Sequence, residues 1–141
     1  MRTIRVILII YIIMIDFLSG KDVHAQPIQL SHIEHIMGFP SAEPGIEKGV
    51  SACFAGTVDN TLLMAGGCNF PDKPAAEGGE KRFYQGIYAA QITDKNELHW
   101  QCVGLLPAPC AYGVSIPLEE GLLCIGGNNA MESFATVVEI T

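Results

Sequence analysis

Basic side chains are scarce in this chain. Eight Lys and Arg stand against fifteen Asp and Glu, a formal net charge of −7. Beyond residue 25 only Lys48, Lys73, Lys81, Arg82 and Lys95 remain, so no basic stripe is available for a phosphate backbone and a nucleic-acid partner is excluded. Long apolar runs are also missing. The longest, Val6 to Ile15, is about half the ~20 residues that a membrane-spanning helix needs, and Asp16 ends it. There is no C-x-x-C, and the nearest cysteines, Cys102 and Cys110, are too far apart for a zinc ligand pair. His32 and His35 would share the face of a helix, but the repeat described below makes their segment a strand, which sends them to opposite faces. No metal site is expected.

What is present begins with a leader pattern. Arg2 and Arg5 precede the apolar run, and Val23-His24-Ala25 places small residues where a signal peptidase reads. Residues 1–25 are therefore expected to be a secretory signal peptide, with Gln26 opening the mature chain and no stable membrane span after cleavage. An uncleaved anchor is the alternative. Five cysteines, an odd number, would then enter an oxidising compartment, where they cannot all pair internally. Cys53, Cys102 and Cys124 lie in apolar strand-like runs and are expected to act as small buried hydrophobes, with one disulfide as the rival arrangement.

The mature region repeats itself. Thr61-Leu62-Leu63-Met64-Ala65-Gly66-Gly67 returns as Gly121-Leu122-Leu123-Cys124-Ile125-Gly126-Gly127. Gly49-Val50-Ser51 returns as Gly113-Val114-Ser115, and the segment ending at Pro40 lines up with the one ending at Pro107. The three offsets differ, which predicts shared strands joined by turns of variable length. Strands are expected at 50–56, 62–65, 84–92 and 97–103, with hairpin turns at Val58-Asp59-Asn60 and Thr93-Asp94-Lys95-Asn96. A second set follows at 114–117, 122–125 and 135–140.

Four-stranded units of about 50 residues, with Gly-Gly after the second strand, a Tyr in the third and a Trp in the fourth, are the pattern of kelch blades in a β-propeller. Gly66-Gly67, Tyr88 and Trp100 supply it here, the two aromatics being expected to pack between adjacent blades. The fold class expected is all-β, an incomplete kelch-type β-propeller of about two blades. Residues 26–141 divide into an orphan closing strand at 31–39, a complete blade at 49–103 and an incomplete blade at 113–141. A closed ring needs on the order of 200–400 residues, so the chain reads as the N-terminal portion of a longer protein. Missing blades, or other copies of the chain, would be required to close the ring.

Four stretches carry a more specific likeness: Gly49-Val50-Ser51-Ala52-Cys53-Phe54-Ala55-Gly56, Met64-Ala65-Gly66-Gly67-Cys68-Asn69-Phe70-Pro71-Asp72-Lys73, Glu77-Gly78-Gly79-Glu80-Lys81-Arg82-Phe83-Tyr84 and Ala111-Tyr112-Gly113-Val114-Ser115-Ile116-Pro117. They resemble the N-acetylneuraminate epimerase (sialic acid mutarotase) family, in its cyclically permuted kelch-repeat branch. The resemblance implies an exported, periplasmic six-bladed propeller that interconverts the α and β anomers of free sialic acid, with a small sugar acid as partner and no cofactor. In the family the proposed acid-base residues are a Glu directly after a blade's Gly and an Arg shortly beyond. Cys68 and Asn128 stand at the matching positions here, so the catalytic residues are left unassigned and the isolated chain is expected to be inactive.

The long insertion from Cys68 to Phe83 is the stretch expected to shape a pocket. Its polar residues Asn69, Glu77, Lys81 and Arg82 are the candidates for substrate binding, with a solvated surface loop as the plain alternative. Tyr112 is either a pocket aromatic or a blade-packing residue. A non-catalytic kelch module that binds a glycan or a protein is the alternative function, since fold alone does not decide activity.

Overall fold

The computed structural model describes residues 33–92 and 97–141. The leader 1–25, His32 and the turn 93–96 lie outside the described residues. Residues Glu34–Thr141 form one compact unit, and Met1–Ile33 are assigned to another, of which only Ile33 is described.

Among the described residues nine short strands carry the fold: β1 (Phe54–Val58), β2 (Thr61–Ala65), β3 (Cys68–Asn69), β4 (Arg82–Phe83), β5 (Gly86–Gln91), β6 (Gln101–Leu105), β7 (Val114–Pro117), β8 (Leu122–Ile125) and β9 (Val137–Ile140). β1, β2, β5 and β6 make a four-stranded antiparallel meander, β7, β8 and β9 a three-stranded one, and β3 with β4 a two-residue ribbon. The two-residue turn Asp59-Asn60 closes the first hairpin, with Asp59 at φ 51. Left-handed backbone there is what tight hairpins require and what Asp tolerates.

The β1–β2 pairing sets Phe54 opposite Ala65, and the β7–β8 pairing sets Val114 opposite Ile125. Both pairs are related by the spacing of the Gly-Gly motifs, so one constant offset relates the two units over these strands. This corrects the match between the two Gly-Val-Ser triplets. Gly49 closes a one-turn 3₁₀ helix, Ile46–Lys48, ahead of the first sheet, whereas Gly113 immediately precedes β7 beneath the Phe54 ring. Equivalence follows cross-strand hydrogen bonds, which three shared letters do not specify.

Alternation along β2 and β5 gives the first sheet two apolar faces. One face joins the second sheet: Phe54, Ala65, Leu106, Cys110, Leu122 and Cys124 form a buried cluster, and Ala55 N–H donates to Ser115 Oγ at 3.0 Å across the seam. Side chains the size of Leu122 contribute about 1.5–3 kcal/mol each when fully buried. The opposite face buries Ile46, Met64, Tyr84 and Tyr88, with Trp100, Val50 and Cys53 against them. Tyr88 and Trp100 therefore pack beneath the 46–50 segment, on the face away from the second sheet.

The described part of the expected closing strand, residues 33–39, is irregular and makes a single parallel bridge, Met37 to Glu97. The cysteine expectation needs correction. Cys124 is buried, Cys53 is partly so, and Cys102 is exposed because β6 is the outermost strand of its sheet. Cys68 and Cys110, outside the expected set, are buried, and all five thiols are free.

Burial pushes several neutral groups upward: Cys124 to about 11, and Cys53, Cys110, Tyr84 and Tyr88 in the same direction, desolvation being the first cause in each. An unfolded chain releases these protons at their ordinary values, from about pH 8.5 for a thiol. Above that pH the unfolded state binds fewer protons than the folded one, so stability falls as pH rises. The urea midpoint is expected to drop between about pH 7.5 and 10.5. An unchanged midpoint would contradict the burial of these groups.

Candidate functional site

The ends of the strands that carry Gly-Gly converge on one region. Gly66-Gly67 turn out of β2, and Ser51 and Cys68 exchange backbone hydrogen bonds of 2.9 Å beside them. Ala111 and Asn128 do the same in the second unit, at 2.9 and 2.8 Å. The residue following each of the first partners is left-handed although it is not glycine, Ala52 at φ 54 and Tyr112 at φ 65, and Tyr112 N–H donates to Ala52 O at 2.9 Å. The repeat thus uses the same strained turn twice and places a tyrosine at the second one. Such strain persists only where surrounding contacts hold it.

The insertion 68–83 folds back on itself through the β3–β4 ribbon, Cys68 opposite Phe83 and Asn69 opposite Arg82. Its four candidate residues have different fates. Asn69 is internal bracing: its Nδ2 donates to Gly45 O at 2.8 Å and Gly49 O at 2.7 Å, and its Oδ1 accepts from Tyr84 Oη–H at 2.7 Å. Arg82 donates from Nη1 to Pro44 O at 2.8 Å and lies 3.8 Å from Asp72 Oδ2. Glu77 closes a one-turn 3₁₀ helix, Ala75–Glu77, with its side chain exposed. Lys81 alone of the four hydrogen-bonds to Tyr112.

Lys81 Nζ donates to Tyr112 Oη at 2.9 Å and stands over two rings, 5.1 Å from the Tyr112 centroid and 5.4 Å from that of Phe70. The buried Cys68 thiol donates to the same Tyr112 oxygen at 3.3 Å, with Ser51 Oγ 3.8 Å from the sulfur. The hydrogen bond to Tyr112 is the first cause that raises the Lys81 pKa, so the ammonium keeps its charge. No carboxylate among the described residues pairs with it. Lys81, Tyr112 and Phe70 form a cationic, aromatic-walled contact surface built from the insertion 68–83 and the turn ahead of β7.

Sequence reasoning left Tyr112 between two roles and missed Glu43. Tyr112 is half exposed beside Lys81, where blade packing was the competing expectation. Glu43 accepts from Gln85 N–H, Gly86 N–H and Tyr88 Oη–H, and no local pattern marks it because its partners lie over forty residues away. The apolar cavity of about 60 Å³ between the sheets, lined by Phe54, Leu106, Cys124 and Phe134 among others, belongs to the packing seam and offers no polar chemistry.

Comparison with known proteins bears on this arrangement. The sequence pattern of the family described as N-acetylneuraminate epimerase matches residues 19–141, which takes in the whole of the insertion and both sheets. The chain belongs to the N-acetylneuraminate epimerase family. The N-acetylneuraminate epimerase of Vibrio vulnificus strain YJ016 is 38% identical over 96 residues, 65% of this chain and 25% of that protein. N-acetylneuraminate epimerase 1 of Escherichia coli O6:H1 is 38% identical over 94 residues, 62% of this chain and 24% of the relative. The solved structure of YjhT superposes with a TM-score of 0.56 at 32% identity, covering 66% of this chain and 28% of that one. The chain spans about a quarter of the length of the curated epimerases it matches. Its fold is an incomplete kelch-type β-propeller, one four-stranded blade followed by three strands of the next.

At the position directly after Gly-Gly the two units of this epimerase-family chain carry Cys68 and Asn128, both in backbone bridges, and Asn128 Oδ1 is buried without a partner. Neither is a carboxylate.

Proposed function

We propose that the complete protein carrying this chain interconverts the α and β anomers of free N-acetylneuraminate, and that these two blades supply part of its pocket wall. The observation that carries this is the family match across the insertion 68–83, the same segment that presents Lys81 against Tyr112. Mutarotation needs a base to take the proton from the anomeric hydroxyl and an acid to protonate the ring oxygen as the ring opens, with the roles reversed on reclosure. Cys68 and Asn128 do not supply that pair, so the acid and base are not assigned to this chain. Its residues bind and orient the sugar. Asn69 and Arg82 hold the loop in shape, and Lys81 contributes a fixed positive charge. Residues 1–25 act as a cleaved leader, and the site of action is the periplasm.

The test uses the complete protein expressed with its leader. Product recovered from the periplasm is expected to begin at Gln26, and proton NMR of freshly dissolved sialic acid is expected to show accelerated anomer exchange. A membrane-retained product that keeps residues 1–25 would overturn export. Sugar binding without faster exchange would identify a non-catalytic kelch module instead.

A further inference from the structure

We propose that Lys81 and Tyr112 form a two-donor clamp for a carboxylate, the acid group of the sugar acid; this rests on the substrate proposed above. Proton accounting at the tyrosine leads to it. The Tyr112 oxygen accepts one hydrogen bond from Lys81 Nζ at 2.9 Å and another from the Cys68 thiol at 3.3 Å. A phenol oxygen has two lone pairs and one proton, so with both lone pairs engaged the proton is left to donate outward. No group among the described residues accepts it.

Lys81 has three N–H bonds and one hydrogen-bond acceptor among the described residues, Tyr112. Its other two protons are available, and no Asp or Glu among the described residues neutralises its charge. Two donors about 3 Å apart, one cationic and one neutral, suit the two oxygens of a single carboxylate, and a charge-assisted contact is the stronger kind. Both donors are fixed from behind. The Tyr112 backbone is held at φ 65 by its bond to Ala52 O, and the residue next to Lys81, Arg82, is tied to Pro44 O. The exposed faces of Phe70 and Tyr112 flank the ammonium and offer apolar surface to a sugar ring.

Lys81 and Tyr112 are both exposed, so Lys81→Met and Tyr112→Phe should leave the fold intact, checked by unchanged denaturation midpoints. Calorimetry on the complete protein would compare N-acetylneuraminate with its carboxyl methyl ester. Each variant is expected to weaken binding of the acid about tenfold or more and to leave the ester within about twofold. Unchanged affinity for the acid, or equal loss for acid and ester, would overturn the clamp. A wild type that binds neither sugar would overturn the proposed substrate instead. The clamp is then decided by the ¹³Cε resonance of Lys81 during titration with acetate. A saturable shift that Tyr112→Phe abolishes supports it, and a flat titration overturns it.

Discussion

Replacing Gly66 by alanine is expected to destabilise the fold by about 3–5 kcal/mol, through strain and overlap together. Gly66 has φ +63, where a Cβ costs roughly 1–2 kcal/mol even in open space. The space here is closed: an added Cβ would lie 2.3 Å from the carbonyl oxygen of Cys110. That oxygen cannot retreat freely, because it accepts the Gly67 N–H at 2.8 Å and so ties the turn after β2 to the chain leaving β6. Either the new methyl group breaks this hydrogen bond or the strand ends separate. Gly49 provides the control. Its φ is +89 with ψ 153, a region nearly reserved for glycine, yet an added Cβ there would meet nothing within 4 Å, so Gly49→Ala should carry only the backbone term of about 1–3 kcal/mol. Chemical denaturation of the two variants measures the difference, and equal midpoints would show that the contact at Cys110 is unimportant.

Glu43→Ala is expected to be nearly as damaging, at about 2–4 kcal/mol, although the residue is a carboxylate in a loop. Its Oε1 accepts from Gln85 N–H at 3.0 Å, and its Oε2 accepts from Gly86 N–H and Tyr88 Oη–H, each at 2.8 Å. The side chain stands where a strand partner would otherwise satisfy the start of β5. Removing it leaves two backbone donors and the hydroxyl of the buried Tyr88 without their acceptor, and each orphaned group loses its full compensation for desolvation. Tyr88→Phe should be milder, because the carboxylate keeps both backbone donors. A double-mutant cycle between Glu43 and Tyr88 isolates their shared term. A Glu43→Ala variant within about 0.5 kcal/mol of wild type would show that water replaces the carboxylate.

The division between sequence and structure follows the range of the interactions concerned. β8 is found at the expected residues, Leu122 to Ile125, because an apolar run bounded by turn residues is a local property. β7, Val114 to Pro117, also matches, and the remaining strands begin or end one to a few residues from expectation. β1 starts at Phe54, since Val50 and Ser51 are drawn into the turn beside Gly67 and Cys68. Lys81 was legible as a polar residue in a long insertion between strands. Its neighbours Asn69 and Arg82 looked equivalent, yet both donate to backbone carbonyls twenty or more positions away. Composition does not separate a loop's braces from its presented groups, because that depends on which carbonyls the folded chain leaves within reach.

By itself the sequence determined the class of fold, the two-unit repeat, the absence of a basic stripe and the family likeness, all of which reside in periodicity, counts and short motifs. Tertiary structure alone decided the common register of the two units, the burial of Cys68 and Cys110, the three-donor role of Glu43 and the meeting of Lys81 with Tyr112. These depend on contacts between residues distant along the chain, where hydrogen-bond geometry across strands and blades, which no local pattern encodes, chooses the partners.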